Sequence, residues 1–106
     1  MTSQTAMLNA LSKHQGRDKG ISARLLALQL DIPPRRLRQL ISQAREDGIA
    51  ICGKPASGYF VPTTPEELQE TCAFLQGRAL HSLRKLSRMK QVSLPTLLGQ
   101  LMLNQA

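Results

Sequence analysis

Between residues 35 and 43 the chain presents Arg35, Arg36, Arg38, Gln39, Ser42 and Gln43, interleaved with Leu37, Leu40 and Ile41 and followed by Ala44. The four apolar residues recur at i, i+3, i+4 and i+7. In a helix they form one inward stripe and leave these six, together with Arg45, on the outer face. An Arg fork can donate two hydrogen bonds to one guanine and a Gln amide can pair with an adenine edge, and both also serve phosphate oxygens. Arg35, Arg38, Gln39 and Ser42 point most directly away from the stripe, with Arg36 and Gln43 flanking. Lys54 is the one charge between two short β-like runs, where it can reach a phosphate. This is the chemistry of recognising a polyanion.

Other chemistries find little to work with. His14 and His81 are solitary, and no Ser-His-Asp grouping or carboxylate pair points to a pocket. No Gly-rich loop follows a strand to cradle a phosphate. Cys52 and Cys72 stand far apart without a CxxC spacing, so both read as reduced thiols, and no metal, cofactor or catalytic activity is expected.

The elements that must hold these residues follow from periodicity and caps. Ser3 to His14 reads as a first helix carrying Met7, Leu8 and Leu11, ended by Gly16. Residues 15–20 read as a polar loop. Ser22 caps a second helix to about Leu30, with Leu25, Leu26 and Leu28 as core candidates. Asp31-Ile32-Pro33-Pro34 breaks it, and Pro34 suits the first position of the third helix. Gly48 is placed for a left-handed cap. Ile49–Cys52 and Tyr59–Val61 then read as strands around a loop from Gly53 to Gly58. Thr64, Pro65 and Glu67 form a capping-box start for a fourth helix running to about Met89. Leu68, Cys72, Leu75, Ala79, Leu83 and Leu86 make one seam along it and are the candidate dimer interface. Its glutamates gather at the start and its basic residues at the end, which complements the helix dipole. Ser93-Leu94-Pro95 starts a terminal helix with Leu97, Leu98, Leu101 and Met102.

Helix, helix, short turn, helix, glycine and hairpin is the order of a winged helix-turn-helix, with the third helix in the major groove and the hairpin beside it. The stretch from Gly20 to Val61 resembles the N-terminal DNA-binding domain of the biotin repressor family. Ser22, Ile32, Leu37, Ile41, Gly48, Ile49, Gly58 and Tyr59 occupy its shared positions. The turn departs from that pattern, with Asp31 where many relatives have Gly and Pro33-Pro34 where many have Ser and a polar residue. The resemblance implies the fold and double-stranded DNA as partner. No ligase region follows, so biotin chemistry is not implied, and the long fourth helix resembles those of small phage and prophage regulators.

The expected fold is therefore mainly α with a small β-hairpin, a winged helix-turn-helix over residues 1–62 and a C-terminal helical extension over 63–106. Fourteen Lys and Arg against seven Asp and Glu give a net charge of +7 and a pI near 10.3, which attracts nucleic acid before an anionic membrane. Neither a secretory leader nor a membrane span is legible, so a cytoplasmic setting is expected. Two functions fit. One is a DNA-binding transcriptional regulator acting as a homodimer, with recognition helix near 34–47 and wing near 49–61. The other is a winged-helix adaptor in a replication, recombination or regulatory assembly, docking through its apolar C-terminal segment.

Overall fold

Ser3 opens α1 (Gln4–Leu11) by accepting the Ala6 N–H at 3.3 Å, and Met7 and Leu11 carry its buried face. In this computed structural model, which describes residues 3–104, α1 stops short of His14. Residues 1, 2, 105 and 106, placed by the sequence at the ends of its two regions, lie outside the described residues. The helix ends early because Ser12 bonds back to the Asn9 carbonyl and the His14 N–H takes the Leu11 carbonyl at 2.8 Å.

The loop that follows is more ordered than its composition suggests. Arg17–Lys19 forms a short 3-10 turn, and Ile21 forms an antiparallel bridge with Tyr59. Ile21 is buried, a core residue that the sequence reading passed over. A single bridging residue has no alternation to betray it.

Helix α2 (Ala23–Leu30) starts where expected, with the Ser22 hydroxyl accepting the Leu25 N–H at 3.3 Å. Its inward face differs from the expected one. Ala23, Leu26 and Ala27 are buried, whereas Leu25 and Leu28 are 50% and 67% exposed. Those two leucines lie off the stripe 23, 26, 27 and 30, whose alanines allow close packing. Asp31 then ends the helix at φ 54°, its N–H reaching the Ala27 and Leu28 carbonyls. That left-handed conformation is the physical reason a Gly would suit this position.

Helix α3 (Pro34–Glu46) carries Pro34 in its first turn and buries Leu37, Leu40, Ile41 and Ala44, as its spacing predicts. Gly48, at φ 86°, closes it in a Schellman motif. Its N–H donates to the Arg45 carbonyl and that of Ile49 to the Ala44 carbonyl, each at 3.0 Å.

The hairpin pairs β1 (Cys52–Lys54) with β2 (Gly58–Phe60), antiparallel, in the register Cys52 to Phe60, Gly53 to Tyr59 and Lys54 to Gly58. The first strand thus begins where it was expected to end, and the loop shrinks to Pro55-Ala56-Ser57. The glycines explain the shift. Gly53 lies at φ 95°, and a Cβ there would stand 1.9 Å from the Gly58 carbonyl oxygen. The two strands cross so closely that a glycine taken for loop is needed inside the ladder.

Helix α4 (Pro65–Lys90) starts under the Thr64 hydroxyl, which accepts the Glu67 N–H at 3.3 Å. The reciprocal half of the capping box is displaced by one residue: the Glu67 carboxylate takes the Thr63 N–H at 2.8 Å and hydroxyl at 3.0 Å. Helix α5 (Leu94–Asn104) is capped by Ser93, which accepts the Thr96 N–H. Leu97 is fully buried and Leu101 half-buried, whereas Leu98 and Met102, expected to pack with them, are exposed.

The architecture is mainly helical with one two-stranded antiparallel sheet among the described residues. The chain divides into two compact units, Met1–Thr71 and Cys72–Ala106. The first runs past the boundary expected at residue 62 because the opening of α4 is bonded into it. Arg17 pairs with Glu70 and donates its N–H to Glu67 at 2.7 Å, and the Gly53 N–H donates to the Thr71 hydroxyl at 3.1 Å. Its core joins α1, α2, α3, Ile51 and Tyr59. In the second unit Leu97 is buried, and Leu80, Leu83, Leu86, Leu94 and Leu101 are half-buried. No helix among the described residues is long and apolar enough to cross a membrane.

Candidate functional site

Because Leu37, Leu40, Ile41 and Ala44 are all committed to the core, α3 has only one face to offer. Arg35, Arg38, Gln39, Ser42, Gln43 and Glu46 line a shallow, solvent-open concavity along it. Five of the six polar residues singled out on this helix therefore share one surface. Arg36 is exposed but lies outside it, on the flank. Glu46 joins the concavity at its far end, where it limits the positive field. The Gln43 amide is already engaged, donating to Asp47 at 3.1 Å, and Asp47 also accepts from Gln4 of α1 at 3.1 Å. Asp47 thus ties the end of α3 to α1 and engages Gln43, which leaves Arg35, Arg38, Gln39 and Ser42 as the more open set.

What sets the hairpin against α3 is Arg45. Its Nε donates to the Ile51 carbonyl at 2.9 Å and its Nη2 to the Gly53 carbonyl at 3.2 Å. The guanidinium also stands 5.9 Å from the centre of the Tyr59 ring, within cation–π range. One side chain therefore spans helix, β1 and β2. In sequence Arg45 is another polar residue on the outer face of α3. Its place three residues before the Gly48 cap is the one sequence feature that sets it beside the hairpin. Burial pushes the Tyr59 hydroxyl pKa up, partly offset by the charges of Arg45 and Arg38.

Lys54 is exposed at the last position of β1, opposite Gly58. It sits on the ladder rather than in the loop, so its direction is set by the strand. Gly58 and Tyr59 open β2, one residue earlier than the Tyr59–Val61 strand expected from the sequence. A Cβ on Gly58 would meet the Gly20 backbone at 3.0 Å, and Tyr59 exchanges backbone hydrogen bonds with Ile21 at 2.8 and 2.9 Å. These two residues hold the fold together; they do not present an aromatic face to solvent.

A second concavity lies between residues 15–19 and 63–70, with Asp18, Glu66, Glu67 and Glu70 on its walls. Its central groups are spent on each other. The hydrogen bond and charge of Glu70 raise the Arg17 pKa, and the backbone N–H groups of Thr63 and Arg17 hold the Glu67 carboxyl below the usual carboxylate range. The arrangement is a latch between the 3-10 turn and the start of α4. No three His, Cys, Asp or Glu side chains form a potential metal group among the described residues.

Along α4 the six seam residues separate into two sets. Leu68 and Leu75 are 40% and 39% exposed, and Cys72 and Ala79 are exposed as well, while Leu83 and Leu86 are half-buried. Cys52 is buried and Cys72 exposed, and neither is in a disulfide. Compared with family models, curated proteins and solved structures, the chain has no match.

Proposed function

We propose that this chain is a winged helix-turn-helix protein of the kind its sequence resembles, which binds double-stranded DNA as a transcriptional regulator without catalysing a reaction. The observation that carries the reading is the exposed face of α3. Arg35, Arg38, Gln39 and Ser42 share one open surface on a helix whose opposite side is wholly buried, beside a hairpin pinned by Arg45. A rigid helix presenting Arg and Gln from its first turns suits base-edge contact in a major groove, which is wide enough to admit it. In this reading Arg36 and Lys54 supply flanking and wing contacts to phosphate, which fix register without reading sequence.

The protein acts as a homodimer through the open part of the α4 seam. Leu68, Cys72, Leu75 and Ala79 form an apolar stripe that this chain leaves in solvent. Two-fold pairing would present two copies of α3 to a palindromic site.

Selection from a randomised duplex pool tests the reading. Enrichment of a two-fold symmetric motif is the expected outcome. A pool that binds with no enrichment contradicts base reading, and a chain that captures no duplex leaves the adaptor function as the better account.

A further inference from the structure

The charge of this chain is unevenly placed. Up to Thr71 nine Lys and Arg stand against seven Asp and Glu; from Cys72 onward five stand against none. Most of the net positive charge thus belongs to the second unit and not to the unit that carries α3.

It is also ordered along one helix. At about 100° per residue, Arg78, His81, Arg84, Lys85 and Arg88 fall within an arc of about 120° on α4. All five are exposed, and the guanidinium of Arg78 lies 5.8 Å from the Phe74 ring centre. The apolar residues Leu80, Leu83 and Leu86 occupy the opposite side and are half-buried. Lys90 lies off the arc.

Helix-dipole stabilisation does not account for this face. That effect fades beyond the last turn, which here holds only Arg88 and Lys90. Arg78, Arg84 and Lys85 lie further in, and the cations at i, i+3 and i+4 repel one another with no glutamate between them. An unrelieved repulsion of this kind is relieved by a bound polyanion.

We propose that the Arg78–His81–Arg84–Lys85–Arg88 face of α4 is a second nucleic-acid surface, which grips the phosphate backbone of duplex DNA without regard to sequence. From residue 78 to 88 the helix rises about 15 Å, so laid along the duplex axis it passes about four phosphates of one strand at about 3.4 Å of axial rise each. Arginine predominates, and its fork suits phosphate. A lipid surface is the less fitting partner, because an interfacial helix buries an apolar face in the bilayer, and the apolar residues of this stretch are already half-buried.

The test uses the full chain and a mixed-sequence duplex of roughly 25 base pairs, titrated by fluorescence anisotropy between about 50 and 200 mM salt. The Arg84→Gln/Lys85→Gln/Arg88→Gln variant should bind at least tenfold more weakly at the lower salt, with a salt slope reduced by about 2–3 units and unchanged helix content. Arg84→Lys/Arg88→Lys should keep the wild-type slope, and Lys90→Gln should change it little. Arg38→Ala/Gln39→Ala should instead lower the affinity ratio between a selected and a scrambled duplex, which the triple variant leaves unchanged, so loss of base reading and loss of this grip are separable. Wild-type slope in the triple variant overturns the proposal. So does Lys90→Gln costing as much as a change on the face, or a chain that binds phosphatidylserine vesicles but no duplex.

Discussion

Two backbone positions and one carboxylate mark where single residues carry disproportionate weight. Asp31 and Gln91 both adopt positive φ, 54° and 57°. Gln91 closes α4 as Gly48 closes α3: its N–H takes the Arg88 carbonyl at 3.2 Å and Val92 takes that of Ser87 at 3.0 Å. A side chain in this conformation is strained, whereas glycine is not. Gln91→Gly should therefore raise stability by about 0.5–1 kcal/mol in urea unfolding, the balance of relieved strain against lost chain stiffness. A decrease would show that the Gln side chain contributes something of its own. Glu67 is the carboxylate. Its pKa is lowered on folding by the Thr63 and Arg17 N–H donors, so below the ordinary value of 4.5 the unfolded chain binds more protons than the folded one. Its contribution is present above pH 4.5 and fades as pH falls through the folded-state pKa. Melting temperatures of Glu67→Gln should accordingly fall less steeply with acid than those of the wild type. Parallel acid limbs would mean that the latch does not couple to folding.

At the scale of elements, Arg45 decides where the hairpin stands. Two charge-assisted bonds to carbonyls of β1 and its approach are lost in Arg45→Ala, at about 1.5–3 kcal/mol of stability. With the hairpin serving phosphate contact as proposed, duplex affinity should fall on all sequences together. Stability unchanged by Arg45→Ala would remove it as the clamp. The helices were largely legible beforehand, because each announces itself twice. Ser22, Pro34, Gly48, Thr64 and Ser93 mark ends, and the stripe from Leu37 to Ala44 marks a face. The second helix misled because leucine was weighted above register: Ala23 and Ala27 are core, and Leu25 is not. The hairpin misled because Gly53 resembles loop in any one-dimensional reading. Its place in a strand follows from how near Gly58 passes, a contact between residues five apart that no propensity encodes.

Across the whole molecule, the remaining uncertainty in the sequence was what the long seam packs against. Spacing alone made Leu68 to Leu86 one continuous apolar line. The structure covers Leu83 and Leu86 in part and leaves Leu68, Cys72, Leu75 and Ala79 to solvent. A homodimer through that open stretch should run at twice the chain mass of 11.7 kDa in light scattering at micromolar concentration. Leu75→Asp should return it to monomer with its helix content intact. A wild type that is monomeric throughout this range contradicts the dimer. The distribution of charge was present in the sequence as a total of +7, but its split between the two units needed the unit boundary at Thr71.

Base reading by α3 remains the central claim, and Gln39 tests it most directly. It lies in the open concavity with Arg35, Arg38 and Ser42, one turn in from Pro34, and an alanine there keeps the helix while removing both hydrogen bonds an amide can give an adenine. The measurement is a paired titration of wild type and Gln39→Ala on a selected duplex and on its scrambled counterpart at one fixed salt concentration. The variant should lose about 1–3 kcal/mol on the selected duplex and far less on the scrambled one. Equal loss on both duplexes, or none on either, would contradict sequence reading by this helix.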